Sequence, residues 1–321
     1  MNYWLIPLIT VGVLIILGLS VSLVCFFTVF YSKGKPSSEE YPLPKGKIYE
    51  EFYPQMIEWM KEFRSLPHED IVITSHDGLK LHGKYFEYEK GTPIEILFHG
   101  YRGSALRDLC GSIYRCHKLK RNALVVDQRG AGESEGHVIT FGVKESRDCL
   151  LWVNYAIENI DKNAKIIITG ISMGATTVLL AAGNDLPQNV VGALADCGYS
   201  SAKAIIKKVM GDMRLPTWLF YPFVRLGAIL YGGFDPNAAS ATEAMKRCRI
   251  PVMFIHGDAD DFVPSYMSEE NYAACASQKK KIVITKGAGH GLCFPKNQEE
   301  YFRENSAFFT PILEENGDLC K

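Results

Sequence analysis

The sequence predicts an α/β fold: a mostly parallel sheet wound on both faces, entered through an antiparallel N-terminal hairpin, with a small helical lid and one apolar helix ahead of it all. Three observations carry this expectation. Short, uninterrupted apolar runs alternate with helical stretches over most of the chain, and strands covered on both faces read in that way. Two alternating segments joined by Asp77-Gly78 come first, and Asp-Gly between such segments is a strong hairpin signal. Before them, 27 residues from Trp4 to Phe30 carry no charge.

That N-terminal run exceeds the ~20 residues a helix needs to cross a hydrocarbon core, so residues 1–31 are expected to form an uncleaved, single-pass transmembrane anchor. A cleaved signal peptide is the rival reading. The basic leading segment is missing, the apolar run is too long, and no small-x-small cleavage site follows. Leu23-Val24-Cys25 hints at a lipoprotein site, but Val24 stands where such sites want a small residue. Lys33, Lys35, Lys45 and Lys47 on the far flank, against Glu39 and Glu40, place the main domain in the cytoplasm by the positive-inside rule.

Residues 32–47, rich in Pro, Gly, Ser and Lys, read as a linker, and 48–321 as one globular domain. Ile48 to Ser65 sets aromatic and apolar residues at helical spacing, either a packing face on the domain or a second membrane-contacting helix. The hairpin strands Ile71–Thr74 and Leu79–Tyr88 follow. Six apolar runs then predict the remaining strands: Glu95–Phe98, Ala123–Val126, Ile166–Thr169, Ala193–Ala195, Val252–Ile255 and Ile282–Thr285. The stretch from about 200 to 248 falls outside this rhythm and reads as a helical lid inserted after the sixth strand.

Composition narrows the function classes. With 47% hydrophobic residues and a net charge of −1, the 321-residue chain can bury a large core and has no basic stripe, so nucleic acid is not an expected partner. Nine cysteines form an odd set with no CxxC pair and no zinc-like spacing. They read as reduced thiols, in keeping with a cytoplasmic domain, and no metal or cofactor is implied.

The chemistry concentrates in Gly170-Ile171-Ser172-Met173-Gly174. A serine on a sharp strand-to-helix turn is pushed into the cleft, and the next backbone N–H lies at a helix N-terminus where it can stabilise an oxyanion. The pattern occurs twice, the second time as Gly132-Glu133-Ser134-Glu135-Gly136. Only Ser172 follows a predicted strand and opens a helical run, and Glu133 and Glu135 would oppose a developing negative charge beside Ser134. Ser172 is therefore the expected nucleophile and Ser134 a loop residue. His99-Gly100-Tyr101-Arg102-Gly103, after the first parallel strand, can aim a backbone N–H at the cleft. The N–H groups of Tyr101 and Met173 are the expected oxyanion donors, and His99 reads as a structural histidine. The expected base is His290, in the glycine-lined loop Gly287–Gly291 after the last strand. Three aspartates, Asp258, Asp260 and Asp261, compete for the acid, and a turn opening at Gly257 carries Asp260 back over the sheet end. Asp196 is the outside candidate.

With these residues the chain resembles the α/β-hydrolase superfamily, and within it the membrane-anchored bacterial hydrolases akin to the serine aminopeptidase-like group. The resemblance runs from about Ile71 onward. It rests on His99-Gly100, Asp127-Gln128-Arg129-Gly130 with Gly132 and Ser134, the Ser172 pentapeptide, Gly257 to Asp260 with Val263-Pro264, and Gly289-His290, in the Ser–Asp–His order of that fold. It implies a serine hydrolase working through an acyl-enzyme, on a small acyl ester, a lipid or a short peptide. A carboxylesterase or lipid esterase is the leading expectation; a peptidase, an acyltransferase or a tethered binding protein are the alternatives. Trp218, Leu219, Phe220, Tyr221 and Phe223 of the lid either line an apolar acyl pocket or pack the lid on the body.

Overall fold

A computed structural model describes residues 4–34 and 38–315, so Lys35 and Cys320 lie outside the described residues. Eight strands form one sheet: β1 (Glu69–Thr74), β2 (Lys80–Phe86), β3 (Ile94–Phe98), β4 (Asn122–Val126), β5 (Ile166–Ile171), β6 (Val190–Asp196), β7 (Val252–Gly257) and β8 (Lys280–Thr285), in the order β1-β2-β4-β3-β5-β6-β7-β8. β1 and β2 pair antiparallel about the Asp77-Gly78 turn, β2 runs antiparallel to β4, and all later pairings are parallel. The fully apolar runs are explained by burial on both faces: every residue of β3, β4, β6 and β7 is buried.

The strand order decides where a site can form. After β3 the chain moves outward to β4, then crosses back to lay β5 on the other side of β3. Where the winding reverses, the loops leaving adjacent strand ends diverge and open a crevice. Phe98 pairs with Gly170 at that point, so the turn after β3 and the turn after β5 face each other across the crevice.

Glu95 brings a charge into the centre of this sheet. Glu95 of β3 is fully buried and accepts hydrogen bonds from Arg115, from Arg121 at 2.9 Å and from Thr169 at 2.8 Å. Burial alone would raise its carboxyl, but the two guanidinium groups outweigh burial and hold it at about 2.

The N-terminal helix Leu5–Val29 is long and apolar enough to cross a membrane, and most of it stands clear of the domain. The segment following it does not begin as a free linker. Tyr31 forms a bridge with Val138, Ser32 N–H donates to His137 O at 2.9 Å, and Phe30 is fully buried between the rings of Phe141 and Phe234. The amphipathic stretch forms helices Lys47–Glu50 and Tyr53–Ser65, the second burying Met56, Trp59, Met60 and Phe63, so it packs on the domain.

The lid region folds as helices Ala202–Asp212, Thr217–Gly232 and Ala241–Met245 with a 3-10 turn at Pro236–Ala238. It resolves the two readings of its aromatic residues in an unforeseen way. Thr217–Gly232 neither lines the cavity described below nor packs chiefly on the body; it lies along the anchor helix, with Tyr231 Oη donating to Leu19 O at 3.3 Å.

Candidate active site

Ser172 stands between β5 and the helix Met173–Ala182 with φ of 56° and ψ of −116°. A side chain rarely adopts such a backbone, and the surroundings must hold it there. Two glycines make the turn possible. A Cβ on Gly170 would strike the backbone of Gly174, and one on Gly174 would collide with Phe98 O and lie 2.7 Å from His99 O. The helix N-terminus is thereby pressed against the turn after β3.

His290 is presented by the loop after β8. Its Nε2 lies 2.9 Å from Ser172 Oγ and its Nδ1 lies 2.7 Å from Asp260 Oδ2. The ring also stands edge-on to Phe262, centroids 5.0 Å apart. Asp260 leaves the turn after β7 and is buried, whereas Asp258 and Asp261 are exposed, with Asp258 accepting Gly287 N–H at 2.6 Å. The other Asp260 oxygen accepts backbone N–H groups from Phe262 at 3.0 Å and Val263 at 2.8 Å. Burial would raise the Asp260 carboxyl, but hydrogen bonds from His256 and His290 outweigh it and hold the group well below the usual carboxylate range. An ionised carboxylate only accepts, so His290 carries its proton on Nδ1 and turns the Nε2 lone pair toward Ser172.

His256 is the participant that sequence reasoning missed. Fully buried at the end of β7, its Nε2 lies 2.7 Å from Val263 O and 3.3 Å from Asp260 Oδ2, and its Nδ1 lies 2.7 Å from Ser268 Oγ. It stands against the same Asp260 oxygen that His290 engages. Its place directly before Gly257-Asp258-Ala259-Asp260 was the available signal.

The turn after β3 reaches the nucleophile. A methyl on Gly100 would lie 3.4 Å from Ser172 Cβ and 3.8 Å from its Oγ, so Tyr101 and Met173, the two expected oxyanion residues, come from backbones that flank Ser172. His99 is buried and occupied, with Nε2 accepting Gln128 N–H at 2.9 Å and Nδ1 lying 2.8 Å from Gly100 O. Ser134 is equally occupied: its Oγ donates to Asp127 O at 2.6 Å and accepts His82 N–H at 2.8 Å. Both residues hold loops together. Asp196 is buried behind the nucleophile, its carbonyl accepting Ser172 N–H at 2.8 Å, and burial raises its carboxyl to about 6.

Ser172 and His290 open onto a cavity of about 590 Å³, within the range of small-molecule sites. Its apolar walls include Ile48, Tyr49, Trp59, Phe262 and Phe294, and its lining also takes in Lys45, Lys47 and Arg107, the last paired to Asp108. The residue 44–49 segment lines the cavity together with Met56 and Trp59 of the helix Tyr53–Ser65, and no residue of Thr217–Gly232 does. Among the described residues, Cys197, Asp260 and His290 bring potential metal-ligating atoms within 4.8 Å of one another. Burial pushes the Cys197 thiol well up, which keeps its proton in place, and the other two groups are engaged with each other.

Residues 139–316 match the prolyl oligopeptidase family. YfhR of Salmonella typhimurium is 30% identical over 77% of this chain and 82% of its own. The Saccharomyces cerevisiae protein YNL320W, described as a membrane protein, is 22% identical over 68% of this chain and 72% of its own. The esterase Pf2001 of Pyrococcus furiosus has the same fold, with a TM-score of 0.65 and 23% identity over 84% of this chain and 96% of that structure.

Proposed function

The chain belongs to the prolyl oligopeptidase family, on the α/β-hydrolase fold, and is a serine hydrolase of esters or peptides; from that footing we propose that it is a membrane-anchored carboxylesterase or lipid esterase with Ser172 as nucleophile, His290 as base and Asp260 as acid. One observation carries the reading: a hydrogen-bonded relay from Ser172 through His290 to a buried Asp260, at 2.9 and 2.7 Å, opens onto a cavity with largely apolar walls.

In this mechanism Ser172 Oγ attacks the acyl carbonyl carbon while His290 Nε2 takes its proton. The carbonyl oxygen becomes an oxyanion held by the N–H groups of Tyr101 and Met173. Asp260 fixes the tautomer and stabilises the imidazolium. His290 then protonates the leaving alcohol, and the acyl group stays on Ser172. Water, deprotonated by His290, attacks the acyl-enzyme, and His290 returns that proton to Ser172 Oγ as the acyl–oxygen bond breaks and the acid leaves.

Ile48, Tyr49, Trp59, Phe262 and Phe294 favour an apolar acyl or alcohol group over a charged peptide. A peptidase is the second reading, favoured by the match of residues 139–316 to the prolyl oligopeptidase family. We also propose that the N-terminal helix crosses a bilayer and leaves the domain on the cytoplasmic face, on the strength of Lys33, Lys45 and Lys47 beyond it. Digestion of the domain by protease added to intact cells would overturn that orientation.

The enzymatic test uses p-nitrophenyl esters of graded chain length, aminoacyl amides and a fluorophosphonate probe. Ser172→Ala is expected to lose both labelling and turnover, with Ser134→Ala retaining labelling. Unchanged labelling of Ser172→Ala would refute the nucleophile, and faster turnover of aminoacyl amides than of any ester would favour the peptidase.

A further inference from the structure

The lid helix Thr217–Gly232 runs beside the anchor helix Leu5–Val29, and the contacts fix how. A methyl on Gly18 would lie 3.7 Å from the Phe223 ring, and one on Gly227 would collide with Ser22 O. The Phe26 and Tyr231 rings stand 5.9 Å apart. Positions advance together on the two helices, so they run side by side in the same direction. Small residues at the contact let the two backbones close on each other, the mode of packing used between helices inside bilayers.

The anchor's length then bears on the lid. Its turns from Leu5 to Leu17 stand clear of the domain; Gly12 alone among them is not fully exposed, and a methyl there would meet nothing within 4 Å. Those turns measure about 20 Å at 1.5 Å per residue, short of the ~30 Å of a hydrocarbon core. A bilayer that covers ~30 Å of anchor from Leu5 reaches Val24, past the contacts with Phe223 and Gly227. It necessarily meets the lid helix packed there.

The lid's outer surface suits that medium. Trp218 is 77% exposed, and Met213, Leu215, Leu219, Ile229 and Leu230 are exposed with it. Exposed Leu23, Val24 and Phe27 lie on the anchor helix against which Thr217–Gly232 packs, and within Thr217–Gly232 itself no charge stands unpaired. Arg225, the one charge within the helix, reaches back to Asp235, with N···O separations of 3.0 and 2.6 Å, as a long side chain does when its head seeks a polar boundary. At the hairpin tip Asp212 is paired with Lys208 at 2.7 Å, and Arg214 offers a cation to a lipid phosphate.

We propose that the lid hairpin, residues 202–232, is a second membrane contact: its tip and the outer face of Thr217–Gly232 enter the lipid beside the anchor, seating the domain on the bilayer instead of leaving it on a tether. The surface is thus a lipid-binding surface, which rests on the membrane reading above. Lys208 Nζ also bonds Asp261 O, so the hairpin that meets lipid is tied to the loop that carries Asp260.

Tryptophan emission of the full-length chain in phosphatidylcholine vesicles, with and without brominated acyl chains, tests this. Trp59 and Trp152 are buried in the domain and serve as an unquenched background. In Trp4→Phe, brominated lipid is expected to quench the emission by up to about one third, the share of Trp218 among three tryptophans. In Trp4→Phe/Trp218→Phe the quenching should vanish. Quenching in Trp218→Phe together with none in Trp4→Phe would leave the anchor in the membrane and overturn the lid contact. Absence of quenching in the unmodified chain would overturn both readings. Trp218 is exposed, so its replacement by Phe removes no packing.

Discussion

Replacing Asp260 by asparagine preserves the shape of the acid and reverses one hydrogen bond, and the structure says which. The Oδ1 position accepts N–H groups from Phe262 and Val263, so an NH2 group placed there would face two donors. The amide is therefore driven to the Oδ2 position, 2.7 Å from His290 Nδ1. There it donates to Nδ1, which must give up its proton to Nε2. The ring keeps its place but aims an N–H at Ser172 Oγ where a lone pair is required. A tautomer error of this kind is worth about 10⁴ in kcat, or ~5.5 kcal/mol of barrier. The assay is kcat/KM on a short p-nitrophenyl ester, with thermal unfolding as the control for folding. Activity of Asp260→Asn within tenfold of the parent, at unchanged Tm, would refute the roles given to both Asp260 and His290.

Three further outcomes follow from the surroundings. Gly174→Ala forces a methyl into the carbonyl of Phe98 and must displace the turn carrying Tyr101, so kcat/KM is expected to fall roughly 100-fold for a shift of about 1 Å; Gly211→Ala, at an exposed position with open space around it, should leave kcat/KM unchanged in the same assay. Glu95→Ala strands two buried guanidinium groups and is expected to cost about 3–5 kcal/mol in urea unfolding. Because the folded carboxyl is held at about 2, that contribution is complete above the unfolded value of about 4.3 and fades as pH falls through about 2. Asp196 has the opposite sign. Burial raises it to about 6, so the folded state holds its proton more tightly than the unfolded chain and stability is lost as pH climbs from about 4 through 6. Asp196→Asn should remove that slope and gain on the order of 2 kcal/mol over the parent at pH 7.5, measured as the pH dependence of the urea midpoint.

Much of this architecture was legible because its signals are local. β3 to β8 declare themselves as apolar runs, and the strand–turn–helix around Ser172 separates it from Ser134 without reference to any distant residue. Asp260 could be chosen among three aspartates because turn geometry acts over three residues. The unread features depend on long-range pairing. Glu95 looks like an intrusion in an apolar strand until Arg115 and Arg121 fold over it from 20 and 26 positions away. The helix Thr217–Gly232 is apolar nearly all round, and such a pattern says that the helix is covered without saying by what. The aromatic run therefore pointed equally to a pocket and to the body, while its partner lay some 200 residues earlier, in the anchor.

The same long-range logic gives the turn after β3 two duties. A helix ends with carbonyl groups that no later turn of its own can satisfy. At the end of the anchor, Val29 O accepts from Tyr101 Oη at 2.6 Å, and the Arg102 guanidinium donates to Thr28 O at 2.8 Å and to Tyr31 O at 2.9 Å. A cation at a helix C-terminus also opposes the helix dipole. Arg102 adopts φ of 51° to do this, a conformation that costs a non-glycine residue about 1 kcal/mol or more and persists only where its contacts hold it. Tyr101, which follows Gly100 in the turn beside Ser172, thus grips, through its side chain, the last turn of the N-terminal helix. The N-terminal helix is therefore a structural neighbour of the candidate site, bonded through its last turn to the residues that follow Gly100.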